Sequence, residues 1–196
     1  HIYGMNFPDQ ALAEELRLPL GRWGGNATTR YNYKNDAYNA GSDWYFEDLH
    51  YNNDTSALPD GSQADKFVEQ NRAAGSDTLM TVPMIGWTAA GRDDGCGFSV
   101  AKYGPQQGTD AQWRPDCGNG KKPDGTLITG NDPAETSTPA GPAFVNGWVR
   151  YLDSAYGTAD SGGVRFYDLD NEPDLWFATH RDVHPAGASY DELRDS

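Results

Sequence analysis

The sequence predicts an α/β fold with a parallel sheet, closed as a (β/α)8 TIM barrel whose first four β/α units these 196 residues supply. Three observations predict it. Strand-like runs alternate with helical patterns four times, which builds right-handed βαβ units. The Gly-rich phosphate fingerprint of an open dinucleotide-binding sheet is absent, because "GRWGGN" lacks its spacing. The stretches that close the predicted strands, "MNF", "RWGGN", "VPMIGW" and "DNEPDLW", are rich in aromatics, amides and acids. In a barrel the chemistry sits at those carboxyl ends.

The elements follow in order. "IYGMNF" (Ile2 to Phe7) reads as the first strand, and "PDQALAEEL" as a short helix. "LPLGRWGGN" (Leu18 to Asn26) reads as the second strand, followed by a long aromatic, Asn-rich loop. "SQADKFVEQNRAAG" opens on a Ser cap and stops at Gly75, the two signals of a helix. "SDTLMTVPMIGW" is a continuous apolar run, expected of a strand buried on both faces. Thr88 to Pro142 is expected to be mostly loop. "AFVNGWVRYLDSAYG" is a helix with Trp148 at core spacing from Val145 and Leu152, and "GVRFYDLDNEP" is the fourth strand. A barrel has eight strands in about 250 residues. Four alone would leave open edges and an uncovered core face. Residues 1–196 are therefore expected to be the N-terminal half of a barrel domain, with the remainder of that domain as partner and no second domain visible.

With 29 acidic against 15 basic residues, the formal charge is -14. That polyanion argues against nucleic acid or an anionic membrane as partner. No apolar run approaches the roughly 20 residues of a membrane span. Cys96 and Cys117 flank a Gly-rich polar loop. An even cysteine count in a polar, acidic chain points to a disulfide and to secretion, against the alternative of two unpaired thiols. Closing that loop would stabilise the fold by roughly 3 kcal/mol. Asp93 and Asp94 in "GRDDGC" and Asp132 in "GNDP" are candidates for a structural Ca²⁺, or else solvated turn acids. His180 and His184 in "THRDVHP" are four apart, but Pro185 and the missing third ligand favour structural roles, or support of the site from behind, over a metal site. "NAT" and "NDT" fit the glycosylation sequon at Asn26 and Asn53.

The chemistry concentrates in "YDLDNEP". Along a strand, Asp168, Asp170 and Glu172 share one face, where like charges disfavour one another's ionisation. Glycoside hydrolysis needs one protonated and one ionised carboxyl group. Glu172, at a strand's end, is placed to be the proton donor, with Asp170 expected to raise its pKa and Asn171 to meet a sugar hydroxyl. Sugar rings present apolar faces on which Trp and Tyr stack. Trp44, Tyr45, Trp87 and Trp176 are the candidate subsites, whereas Trp23 and Trp148 are assigned to packing.

Taken together, "IYGMNF", "RWGGNATTRYNY", "NAGSDWYF", "VPMIGW", "CGFSVAKYG", "DLDNEPDLW" and "THRDVHP" resemble the catalytic domain of glycoside hydrolase family 44, over nearly the whole chain. The resemblance implies a (β/α)8 barrel and a retaining endo-β-1,4-glucanase or xyloglucanase that takes no cofactor. It implies Glu172 as general acid/base, Asn171 beside the cleaved bond, and Arg22 and Asn26 lining the cleft. The family's nucleophile is a glutamate ending the seventh strand, which these residues do not contain. Glu192, on a surface-like helix, has no claim to that role. The chain alone is therefore expected to be inactive. Two other readings use the same residues: a non-catalytic glucan-binding fragment, and a chitinase-like hydrolase in which Asp168, Asp170 and Glu172 form D-x-D-x-E.

Overall fold

The structure, a computed structural model, describes residues 3–92 and 95–196. Ile2, Asp93 and Asp94 lie outside the described residues, and with them the start of the first predicted strand and the "GRDDGC" cation candidate. The centre is a parallel sheet of β1 (Met5–Asn6), β2 (Leu20–Trp23), β3 (Asp77–Val82) and β4 (Phe166–Leu169), hydrogen-bonded in chain order. A doubly wound sheet would reverse its order partway; this one does not. The strands are connected through α1 (Gln10–Leu16), α2 (Gln63–Ala74) and α3 (Pro142–Tyr156).

Local chemistry sets the helix ends. The Asp9 and Ser62 side chains accept hydrogen bonds from the amides of Leu12 and Asp65, satisfying first-turn donors. Gly75 ends α2 at φ 74°, a left-handed cap that glycine adopts without strain. Pro142 occupies the first turn of α3, where no amide donor is needed.

One face of the sheet is covered. Trp23, Met80 and Val82 pack against Ala64, Phe67 and Val68 of α2 and Trp148 and Leu152 of α3. Trp23 and Trp148 are fully buried, as assigned. At Gly21 a Cβ would lie 2.5 Å from Asn71 Oδ1, so close approach of α2 demands glycine there. On the opposite face the pleat and the register align Arg22, Leu79 and Phe166, with Thr81 beside Asp168. No residue of β3 is exposed: Thr78, Met80, Thr81 and Val82 are buried and Asp77 and Leu79 half-buried, while Phe166 of β4 on the second face is exposed. That second face, with Arg22, Thr81 and Asp168, forms a polar floor.

Two predicted strands are shorter than expected. β2 ends at Trp23, and Asn26 opens a one-turn helix (Asn26–Thr29) instead of closing the strand. β3 ends before Pro83, which has no amide to donate to a ladder. Trp87–Ala89 is a separate strand, antiparallel to Ser137–Pro139.

Residues 95–142 are more ordered than the expected loop. Thr109–Asp110 pairs with Arg114–Gly118, and a one-turn helix covers Val100–Tyr103. Cys96 and Cys117 are disulfide-bonded with Cα atoms 5.6 Å apart. A small apolar cluster, Phe46, Phe98 and Ile128, sits beneath. Much of the region is held by buried cations. Arg30 donates to Asp182 Oδ2 at 2.6 Å, Ser137 Oγ at 2.6 Å and Asn39 Oδ1 at 2.9 Å, all buried. The Arg181 guanidinium lies 4.3 Å from the Phe98 ring centroid and donates to the carbonyls of Ile128 and Gly120.

Candidate active site

β4 delivers the acidic motif to the carboxyl edge of the sheet and then breaks the pleat. Asp170 (φ 67°) and Glu172 (φ 45°) are both left-handed, a conformation costing a non-glycine residue about 1–2 kcal/mol. Strained non-glycine backbone clusters at functional sites, and here it decides where each carboxyl points.

The three acids do not share one face. Asp168 stays on the polar floor, where Arg22 Nη2 donates to its Oδ2 at 3.2 Å. Asp170 turns inward and accepts from the amides of Met84 (2.6 Å), Ile85 (3.1 Å) and Asn171 (2.6 Å). Burial pushes its pKa up to about 6, against the opposing pull of those amides. Asp170 is thus a latch between β4 and the segment after β3. The expectation that it acts as a like-charge neighbour of Glu172 is corrected. Glu172 itself is exposed at the rim.

Arg22 organises the rest. Its Nη2 also donates to Asn171 Oδ1 at 3.0 Å, and its Nη1 to Asn6 Oδ1 at 3.4 Å. Gly24 makes room, since a Cβ there would sit 2.2 Å from Arg22 Cζ. With its oxygen fixed, the Asn171 amide directs Nδ2 to Asn26 Oδ1 and to Glu172 Oε2, both at 3.3 Å. Asn26 Nδ2 in turn donates to Asp43 Oδ2 at 3.0 Å. Arg22, Asn26, Asn171 and Glu172 are therefore brought together, as the sequence reading places them. Asn6, Asp43 and the Arg22–Asp168 pairing were missed. Asn6 gave a usable signal, because it ends the first strand as Arg22 nears the end of the second.

The aromatic candidates divide. Trp44 is 41% exposed and meets the half-buried Tyr45 edge-on, 5.6 Å between centroids. Trp87 is half-buried and packs on the cluster of Ile85, Trp176 and Val183. Trp176 is fully buried in that cluster, edge-on to His184, and the expectation that it stacks on substrate is corrected. A single turn at Pro173–Leu175 rotates the chain, so Trp176 faces inward while Glu172 faces out.

The two histidines differ in setting. His180 is fully buried, and burial pushes its pKa down to about 3, helped by Arg30 and His184, so it is neutral. His184 Nε2 contacts Glu192 Oε1 at 2.7 Å. Glu192 completes a capping box with Ser189 on the helix Tyr190–Asp195 and stays away from the rim motif. Asp132 caps a turn by accepting from the Ala134 amide. Among the described residues, no group of three His, Cys, Asp or Glu side chains is arranged to hold a metal ion.

An exposed carboxyl at the carboxyl rim of a singly wound parallel sheet, flanked by amides, a guanidinium and an open Trp, has the parts of a glycoside hydrolase cleft. The family model described as glycoside hydrolase family 44 matches residues 37–196. The chain belongs to that family. It is 30% identical to endoglucanase A of Paenibacillus lautus and 28% identical to beta-mannanase/endoglucanase A of Caldicellulosiruptor saccharolyticus, each over 98% of the chain. It spans only 26% and 14% of those two proteins. Among solved structures, CelM2, a bifunctional glucanase-xylanase from a metagenome library, superposes with a TM-score of 0.93 at 45% identity. That match covers 99% of this chain and 37% of CelM2. A Paenibacillus polymyxa family 44 xyloglucanase solved with xyloglucan gives 0.67 at 27% identity, covering 99% of this chain and 36% of that one.

Proposed function

We propose that this chain is the N-terminal part of a secreted, retaining endo-β-1,4-glucanase domain that closes as a (β/α)8 barrel. Glu172 is its general acid/base, and its nucleophile lies on a segment outside these residues. The observation that carries the reading is the placement of Glu172, open to solvent at the rim with the Asn171 amide locked beside it by Arg22. Protonated, Glu172 donates to the glycosidic oxygen as the bond to the anomeric carbon breaks. A second carboxylate about 5–5.5 Å away attacks that carbon to form a covalent glycosyl-enzyme. Glu172, now ionised, takes a proton from the water that releases the sugar. Arg22, Asn26, Asn171, Trp44, Tyr45 and Trp87 are the glucan-binding set. The chemistry uses two carboxyls and water, with no cofactor.

The partner that completes the site is the rest of the domain. β4 ends the sheet among the described residues, with Leu169 64% exposed. Beside it a groove of about 460 Å³ is lined by Val82, Met84, Val145, Val149, Leu169 and Leu193. A further strand and helix packed there would cover this apolar surface. The small share of each relative that the chain spans supports the same reading. The Cys96–Cys117 disulfide supports an oxidising, extracellular location.

The test compares the complete catalytic domain with the 196-residue chain on soluble β-1,4-glucan and on xyloglucan. Turnover with net retention at the anomeric centre is expected from the complete domain, and none from the chain. Glu172→Gln in the complete domain should lower turnover by about 10²–10⁴-fold while glucan binding persists. Turnover that survives Glu172→Gln, or full activity from the chain alone, contradicts the assignment.

A further inference from the structure

Trp113 stands outside every role assigned so far. It is 68% exposed, the most open large apolar side chain among the described residues apart from Tyr190. It sits in the tight turn between Thr109–Asp110 and Arg114–Gly118. An exposed indole on a loop is unremarkable by itself. What sets this one apart is how the loop is anchored and what the anchor also holds.

The anchor is Asp110, a buried residue. Its Oδ1 accepts from the Trp113 amide at 3.1 Å and the Gln112 amide at 3.2 Å, fixing the turn. Its Oδ2 accepts from the Trp44 indole at 3.3 Å. One carboxylate therefore fixes the backbone of the Trp113 turn and accepts from the Trp44 indole. Arg114, next in sequence, ties the turn to the body by donating to the Asp48 carbonyl at 2.9 Å.

The anchor is also continuous with the cleft. From Glu172, hydrogen bonds run through Asn171 and Asn26 to Asp43. The next residue is Trp44, and Asp110 links it to Trp113. Through Asp110, Trp44 and Asp43, the Trp113 turn is thus connected to the residues beside the proposed acid.

We propose that Trp113 is a distal sugar-binding platform, on a turn tied to Trp44 through Asp110, which stacks on the apolar face of a pyranose ring remote from the scissile bond. A polymeric β-1,4-glucan chain is its ligand, and short oligosaccharides do not reach it. Indole suits this role because it offers a wide apolar face with little rotamer entropy to lose. Asp110 is a positioning residue: it touches no sugar and acts by holding the Trp113 turn and the Trp44 indole. The inference rests on the proposed glucanase reading.

The experiment uses the complete catalytic domain and two readouts. Kinetics on long and short β-1,4-glucan oligosaccharides give KM and kcat separately, and retardation in native gels containing soluble polymer gives Kd without turnover. Loss of one stacking contact predicts about a three- to tenfold rise in KM and Kd for long chains in Trp113→Ala, with no matching fall in kcat and no shift for short chains. Trp113→Tyr should recover most of that loss, and Asp110→Ala should raise the long-chain Kd at least as much, because it also releases the Trp44 indole of the cleft. If wild type turns over glucan and Trp113→Ala binds polymer with unchanged Kd, the inference is overturned while the glucanase assignment stands. If wild type cleaves no glucan, the assignment fails, and the polymer Kd still decides the platform. An equal rise for short and long chains also overturns it, because the effect would then be general.

Discussion

Where Trp23, Met80 and Val82 meet Phe67, Trp148 and Leu152, the sheet is held to its helices by apolar packing. Where residues 27–62, 88–92 and 95–142 fold over the carboxyl rim, Arg30 and Arg181 stand in for much of a core. The first region is a body whose stability comes from buried area. The second is a roof of short strands and turns, and its interior polar groups must each find a partner. The difference teaches why the site sits where it does. A roof pinned by directional bonds holds Asp43, Trp44 and Asp110 in fixed orientations that a purely apolar layer would not specify.

The sharpest way to break the comparison is to remove one member from each region. Trp148→Ala should cost about 3–5 kcal/mol in urea unfolding, as truncation of a buried aromatic does. Arg30→Met should cost about 3–5 kcal/mol, because Asp182 is left buried and unpaired. The two losses differ in kind. Adding Asp182→Leu to Arg30→Met should recover a large part, since neither charge then remains. No partner substitution of that sort rescues Trp148→Ala. A double variant as unstable as the single one would show that the roof is not organised around the ion pair.

A smaller effect is expected at the disulfide. Replacing Cys96 and Cys117 together with serine should lower stability by about 3 kcal/mol. Amide exchange should quicken first over residues 95–118 and last in β2 and β3. Uniform loss of protection would erase the distinction between body and roof.

A further effect is expected on pH dependence. Burial pushes Asp48 up to about 7, against Asn39 and Arg30, and Glu47 to about 7, against Arg114. Asp170 is raised to about 6. For each, the folded state holds a proton that the unfolded chain has released, so stability falls as pH rises from about 4 to about 7. His180, lowered to about 3, works in the opposite sense below its unfolded pKa, one group against three. Thermal midpoints should therefore drop between about pH 4 and about pH 7, and Asp48→Asn should flatten the slope. A midpoint that climbs over that range would contradict these assignments.

The body was legible in the sequence because periodicity writes it directly. The Ser62 cap, the Gly75 stop and the Trp148–Leu152 spacing gave α2 and α3 nearly to the residue. The roof was not, because strands such as Ala37–Asn39 and Trp87–Ala89 are too short to show a period. What orders them is long-range: Arg30 reaches Asp182 across 152 positions, a pairing no local pattern announces. At the site, the motif singled out Glu172 and Asn171, which lie exposed at the rim and buried beside it, while the alternation argument failed for Asp170. It assumed a strand continuing past Leu169, where two left-handed residues intervene. Trp176 failed for the same reason, since the turn after Glu172 reversed its facing.

The central claim is that Glu172 hands a proton to the departing sugar. Its most direct test is Glu172→Gln in the complete catalytic domain, assayed on an unactivated β-1,4-glucan oligosaccharide and on an aryl β-glycoside whose phenolate departs without protonation. The account predicts that oligosaccharide turnover falls by about 10²–10⁴-fold, while the first release of phenolate stays close to wild type. Equal loss on both substrates, or normal turnover of the oligosaccharide, would contradict it.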